Sequence, residues 1–320
     1  TGTSSGFGRR LVEIALARGD RVLASARDPS KLTFPSNPSL RTLALDLNAG
    51  FAAIQAAVDG AVAACGWDTV DVLVNNGGIG LPGYLEEGGS ARLMQQFQTN
   101  VFGPLDVTNA VLPYMRKRDG TVVMIGSRSA WRPEIRVRAP LHALTECLTV
   151  EIAPFGIRTL LVEPGAFRTE NIYGQHFLSP STHPADFSTG GTARDIPDYA
   201  VTRDADIAKF AAPSGKQPGD PDKAARAIVD VVRGEGVAEG REWPMYLVLG
   251  TDADDNIREK VGKVIKDIDE WRDVVRGVGF EPDPKGQAPV ANGHAVAAPS
   301  KGEEEDREEK KKRKSGCIIA

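Results

Sequence analysis

The chain has 320 residues, 41% of them hydrophobic, which is enough for one large α/β domain with extensions. Its 39 Lys+Arg against 43 Asp+Glu leave a formal charge of −4, so no global basic field exists to hold nucleic acid. Cys65, Cys147 and Cys317 are too few and too scattered for a disulfide framework or a zinc knuckle. No apolar run approaches the roughly 18 residues of a membrane span, and no apolar leader precedes the first motif. Together these favour a reducing, cytoplasmic setting with no resident metal.

The chain opens on a Gly-rich turn, Thr1-Gly2-Thr3-Ser4-Ser5-Gly6-Phe7-Gly8, followed by an amphipathic run through Leu11, Val12, Ala15 and Leu16 to Gly19. Glycines in such a turn let backbone approach a pyrophosphate, which then sits on the N–H groups and positive dipole of the helix that follows. Predicted strands come next at 21–26, 41–45, 70–74, 121–125, 157–162 and 244–249, with helical stretches between them. That alternation is the signature of βαβ units, so the fold expected is a doubly wound parallel sheet spanning 1–280 as a single domain. Asp220-Pro221 starts a clear helix that Gly234 stops, and Ile257, Val261, Val264, Ile265 and Ile268 recur at helical spacing over 254–276. The irregular stretch 174–219, with isolated aromatics, reads as a substrate-covering lid.

No methionine and no strand stand before the first Gly-rich turn. In a doubly wound sheet the strand feeding that turn is central, so its absence would leave two inner edges unpaired, and the sequence reads as a fragment or a truncated reading frame. Past Phe280 the apolar period ends, and 281–320 reads as a disordered charged tail. The tail closes on a basic run, Lys310 to Lys314, then Ser315-Gly316 and Cys317-Ile318-Ile319-Ala320. A prenyl group on Cys317 together with the basic run would meet the two-signal requirement for anchoring to the cytoplasmic face of a membrane. The alternative is a chance cysteine near the end of a charged tail.

The spacing TGxxxGxG resembles the short-chain dehydrogenase/reductase family, and later motifs agree in order and distance over about residues 1–275. Within the family the likeness is to NADP-preferring, retinol- and hydroxysteroid-dehydrogenase-like members. The resemblance implies an oxidoreductase that interconverts a small-molecule carbonyl and its alcohol by hydride transfer. It places the cofactor on Gly2, Ser4, Ser5, Gly6, Phe7 and Gly8 of the turn, and on Asp46 and Leu47 beside the adenine. Asn76 and Gly77 belong to a turn similar to the family's NNAG, and Pro164, Gly165, Phe167 and Thr169 to its nicotinamide-side loop. Asn100 and Ser127 match the family's active-site Asn and catalytic Ser.

Cofactor choice follows from charge. An acidic residue after the second strand would bond a ribose 2′-OH, whereas Arg would pair with a 2′-phosphate. Here that strand ends in Ala26-Arg27, which favours NADP(H); the alternative is that Arg27 pairs with Asp28 at the surface.

The family's proton donor, a Tyr with a Lys four residues later, is not found. Tyr84, Tyr114, Tyr173, Tyr199 and Tyr246 are followed at that distance by Gly88, Arg118, Phe177, Arg203 and Gly250. Aligning the helix through Leu141-His142-Ala143-Leu144 puts Glu134 at the Tyr position and Arg138 at the Lys position, with Pro140 interrupting the helix start. Glu is ionised near neutrality and Arg cannot exchange its proton, so most turnover is expected to be lost. Three readings stay open: a catalytically silent NADP-binding module acting through partners, a donor relocated to Tyr173 or Tyr199, or a gene model missing an exon edge. His142, His176, His183 and His294 have no ligand-like spacing, Trp131 and Phe177 could line a pocket or fill core, and self-association is left open.

Overall fold

The computed structural model describes residues 1–80, 84–132, 139–170, 196–211, 215–280 and 317–320. Glu134, Arg138, Tyr173, Phe177, His176, His183, His294 and most of the expected lid therefore lie outside the described residues. The chain divides into two compact units, Thr1–Ile257 with Gly316–Ala320, and Arg258–Ser315.

The first unit is built on a seven-stranded sheet of parallel pairs. In chain order it contains α1 (Gly6–Ala17), β1 (Arg21–Ala26), β2 (Leu40–Ala44), α2 (Phe51–Cys65), β3 (Val72–Asn75), α3 (Leu85–Phe97) and α4 (Gly103–Met115). It continues with β4 (Thr121–Ile125), α5 (Ala139–Ile152), β5 (Arg158–Pro164), α6 (Ala200–Ala211), α7 (Pro221–Arg233), β6 (Tyr246–Leu249) and, at the C-terminus, β7 (Cys317–Ile319). The sheet order is β2-β1-β7-β3-β4-β5-β6. The six strands expected from sequence are all present, within two residues at each end.

Successive strand side chains point to opposite faces, and both faces are covered, so central strands read as unbroken apolar runs. Val122, Met124 and Leu161 pack on one side with Ile54 and Val58 of α2 and Val107 and Val111 of α4. Val123, Ile125 and Leu160 pack on the other with Leu11 of α1 and Ala225 and Ile228 of α7. Helix α7 begins as its sequence dictates: Asp220 caps the N–H groups of Asp222 and Lys223 at 2.8 and 3.2 Å, Pro221 follows, and Gly234 ends the helix in the left-handed region at φ 66°.

The slot for the strand feeding the Gly-rich turn is not open. Strand β7 fills it, pairing Val22 with Ile318 and Leu23 with Ile319 on one side, and Val72 with Ile318 and Leu73 with Ile319 on the other. Ala320 N–H donates to Leu23 O at 3.0 Å, and Ser25 N–H donates to Ala320 O at 2.9 Å. The same strand line is taken up by the turn, where Thr1 N donates to Val74 O at 2.5 Å and Thr3 N–H to Ser25 O at 3.1 Å. Ile319 is fully buried and Cys317 only 1% exposed.

This corrects two expectations for the C-terminus. Cys317–Ala320 is ordered sheet rather than disordered tail, because a β-branched apolar run between two unpaired edges satisfies both ladders at once. Nor is Cys317 placed as a prenyl acceptor, since its backbone N–H is bonded to Asp71 Oδ2 at 2.6 Å and Arg21 donates to its Sγ. A lipid on that sulfur has no room in the middle of a sheet. No helix among the described residues is long and apolar enough to cross a membrane.

The described residues of the second unit, 258–280, are mostly helical. The helix α8 (Thr251–Glu270) runs into it, and α9 (Arg272–Gly277) follows after Trp271 leaves helical geometry at φ −104°, ψ 21°. The single helix expected over 254–276 is thus two.

Candidate cofactor and active site

The strands pair in parallel, so the carboxyl ends of β1, β7, β3, β4 and β5 share one edge of the sheet, the position where doubly wound sheets place their ligands. The Gly-rich turn contacts β1 and β3 there. The turn has no room for a side chain at Gly2 or Gly8. A Cβ on Gly2, whose φ is +70°, would stand 2.7 Å from Gly77 Cα, and one on Gly8 would stand 2.4 Å from Gly2 O. Asn76 locks this approach, its Nδ2 donating to Thr1 O at 2.9 Å and Gly2 O at 3.1 Å. Thr1 Oγ1 accepts from the N–H groups of Asn76 and Gly77 at 3.1 and 2.8 Å. The residues expected to form the phosphate turn and the NNAG-like turn are therefore in direct contact.

Helix α1 leaves the turn with an under-satisfied N-terminus. Ser5 stands at the cap in extended geometry, and its side chain makes no capping bond. The Gly6 N–H instead donates to Glu170 Oε2 at 3.0 Å, and Ser4 is exposed. Phe7 packs edge-on against Phe167 with ring centroids 5.2 Å apart, bringing the nicotinamide-side loop onto the start of α1. Thr169 follows on that loop, its methyl 3.8 Å from the place of a Gly6 Cβ.

On the adenosine side, Arg27 is exposed directly after β1. Asp28, its alternative partner, bonds Ser30 N and Oγ at 3.1 and 2.6 Å and pairs with Lys31 at 3.6 Å. Asp46 is exposed and caps Asn48 N–H at 3.0 Å. Leu47 is buried as a wedge: a Cβ on Gly77 would meet its Cδ1 at 2.9 Å, and one on Gly103 its Cβ at 2.7 Å. Gly103 is a site-shaping residue that the motif reading did not include.

Asn100 sits in a π-turn over Gln98–Phe102 between α3 and α4. Its amide makes a paired bond with the backbone of Ile79, accepting from N–H and donating to O, both at 2.8 Å. It fastens the segment after β3. Ser127 follows β4 and accepts from Ser129 N–H at 3.1 Å, so it caps the short turn Arg128–Ala130. Tyr199, one of the candidate relocated donors, is stacked on Tyr84 at 4.5 Å and gives its hydroxyl to Glu86 at 2.9 Å.

Two carboxylates that the motif reading passed over organise the floor. Asp252 accepts from Ala166 N–H at 2.8 Å and pairs with Arg128 at 2.8 Å, joining the loop after β5 to the turn after Ser127. A Cβ on Gly165 would collide with it at 2.0 Å. Glu163, fully buried at the end of β5, holds His142 Nε2 at 2.8 Å and accepts from Trp131 Nε1 at 3.0 Å. The His142 ring is therefore packed against a specific buried carboxylate, with Nε2 in ion-pair range of it. Gly126 can be nothing larger, because a Cβ there would meet Glu163 Oε1 at 2.0 Å. Trp131, half-buried, is thus held as part of this network. A lone Glu inside the run Leu160-Leu161-Val162-Glu163 was the available signal.

Residues 1–174 match the family model described as short chain dehydrogenase. An uncharacterized oxidoreductase of Bacillus subtilis, YusZ, is 33% identical over 71% of this chain and 81% of its own length. Retinol dehydrogenase 8 of Bos taurus is 34% identical over 53% of this chain and 58% of that protein. A short-chain dehydrogenase from Streptomyces avermitilis superposes with a TM-score of 0.69 at 34% identity, over 87% of this chain and 97% of that one. A Burkholderia cenocepacia short chain dehydrogenase in complex with NADP shares the fold at 19% identity, with a TM-score of 0.56 over 88% and 96% of the two chains. The chain belongs to the short-chain dehydrogenase family of oxidoreductases.

Proposed function

We propose that this chain binds NADP(H) in the Gly-rich crevice and that its reaction class is the interconversion of a carbonyl compound with its alcohol. The observation that carries the reading is the cradle itself. Gly2 and Gly8 are packed too closely for any Cβ, and the α1 N-terminus that they present already takes an anionic group, the Glu170 carboxylate. The donor set fits a dinucleotide diphosphate: the α1 N-terminal N–H groups from Gly6 onward for the phosphates, Leu47 and Asp46 beside the adenine, and Phe167 and Thr169 toward the nicotinamide. Arg27, exposed at the end of β1, supplies the charge that distinguishes a 2′-phosphate from a free hydroxyl. The bound cofactor would supply the hydride.

The chain's own part is to hold the carbonyl oxygen and deliver a proton to it. We assign the first task to the Ser127 hydroxyl, and Asn100 orders the backbone after β3. The second task has no Tyr–Lys pair at the family's spacing, so turnover is expected to be weak, and a catalytically silent NADP-binding module is the second reading. Three free thiols fit a cytoplasmic setting.

Isothermal titration with NADPH and NADH, followed by NADPH consumption across a panel of ketones and aldehydes, tests both parts. Binding of NADPH at least tenfold tighter than NADH supports the cofactor reading, and no heat with either ends it. NADPH binding without consumption on any substrate selects the silent module.

A further inference from the structure

Beside the cradle stands an anion that belongs to the protein. Glu170 follows Thr169 on the loop after β5, and its carboxylate reaches back to the N-terminus of α1. Oε2 accepts the Gly6 N–H at 3.0 Å, and Arg10, one turn further along the helix, grips both oxygens, with Nη2 at 2.7 Å from Oε1 and Nη1 at 3.2 Å from Oε2. Arg10 is held in place from two other sides, by Gly6 O at 3.1 Å and by Asp222 Oδ1 at 2.9 Å. Carboxylate and phosphate oxygens want the same partners, a helix N-terminal N–H and a guanidinium fork.

Building on the cofactor reading above, we propose that Glu170 is an internal competitor for the cofactor diphosphate, and that Arg10 is the cation it hands over when the cofactor enters. The Gly6 N–H can donate fully to one acceptor, and a carboxylate left beside two phosphates would add like charge at close range. Entry therefore requires the Glu170 side chain to swing out. It is free to do so, since its side chain is 50% exposed, whereas Arg10 is only 16% exposed and stays tethered through Asp222 and Gly6 O. The device keeps the helix terminus satisfied in the empty protein and sets a threshold on cofactor affinity. The pair holds the Glu170 carboxyl down to about 2, mainly through the Arg10 hydrogen bond, so the competitor is charged throughout the physiological range.

The test is titration of the full chain with NADPH, and separately with inorganic pyrophosphate, in wild type, Glu170→Gln and Glu170→Ala. Glu13→Gln serves as a control, because it removes the same charge from a carboxylate that pairs with Arg9. Both Glu170 variants are expected to bind NADPH about three- to fivefold more tightly, the upper range of a part-exposed ion pair, and pyrophosphate to follow the same order. The control should stay within about twofold. Unchanged or weaker binding in both Glu170 variants overturns the proposal, and so does an equal gain in the control, which would make the effect one of net charge. If neither ligand binds any form, the cofactor reading itself falls and the competitor with it.

Discussion

Ala320 O accepts the backbone N–H of Ser25 at 2.9 Å, and the Ser25 hydroxyl donates to the same oxygen at 3.2 Å. Ser25 also accepts from Thr3 N–H at 3.1 Å and Thr3 Oγ1 at 3.0 Å, so one buried residue of β1 fastens the end of β7 and the start of the phosphate turn together. The floor of the cofactor cradle is therefore made by residues that are more than three hundred positions apart in sequence.

A first expectation concerns that strand. Ile319 is fully buried between the two sheet ladders, so Ile319→Ala should lower unfolding free energy by about 2–5 kcal/mol. Val264→Ala, on an exposed face of α8, should stay within about 0.5 kcal/mol. Urea denaturation followed by circular dichroism separates the two. Equal midpoints would mean that β7 does not carry the sheet.

The cradle glycines make a second. Ala at Gly2 must adopt φ +70°, at a cost of about 1–3 kcal/mol, and must also displace Gly77. Gly2→Ala and Gly8→Ala should each abolish measurable NADPH binding, while Gly19→Ala, with open space around its Cβ position, should leave binding intact despite its own backbone strain.

Arg27→Ala should weaken NADPH binding by more than about tenfold, from the loss of a charge-assisted contact of roughly 1.5–3 kcal/mol, and leave NADH within about twofold. Parallel calorimetric titrations read the ratio directly, and an equal loss for both cofactors would assign Arg27 a structural role.

Removing His142 takes away the imidazole that stands 2.8 Å from the buried Glu163 carboxylate, while the Trp131 hydrogen bond remains. His142→Ala is expected to cost about 1–3 kcal/mol, and Glu163→Gln in that background to recover part of it. A double-mutant cycle on denaturation midpoints gives the coupling, and additive losses would show that the two side chains act separately.

Glu170 gives a pH signature. Its folded carboxyl titrates at about 2 against an ordinary 4.5, so the folded state binds fewer protons in that window and its contribution is present above pH 4.5. The contribution fades as pH falls from 4.5 to 2. The stability gap between wild type and Glu170→Gln should close over the same interval, and half exposure of the pair limits that gap to about 1 kcal/mol. A gap independent of pH would contradict the ion pair.

Much of this architecture was legible from residues alone. Strand β1 matches its expected span because five consecutive buried positions follow Arg21, and α7 because Asp220, Pro221 and Gly234 each carry a terminus signal. The turn at Gly2 to Gly8 was legible because only glycine tolerates its approach to Gly77. What escaped was non-local. Cys317–Ile319 is three residues long and follows a charged run, so its β-branched character was outweighed by a competing terminal motif, and nothing in the local pattern states that two distant edges await it. Glu170 and Asp252 carry no periodic signal, since their roles arise only once the loop after β5 folds back on α1 and Arg128. Trp271 fits the helical period on both sides, so the break between α8 and α9 is invisible to periodicity.

The three thiols form a graded set of chemical reporters. Cys147 is exposed, Cys65 is half-buried, and Cys317 is shut inside the sheet, where burial also pushes its thiol up and away from the reactive thiolate. An alkylating reagent should therefore modify Cys147 at once and reach Cys317 only when the last strand detaches. The rate at that one sulfur becomes a clock for how often the floor beneath the dinucleotide comes apart, and bound NADPH should slow it.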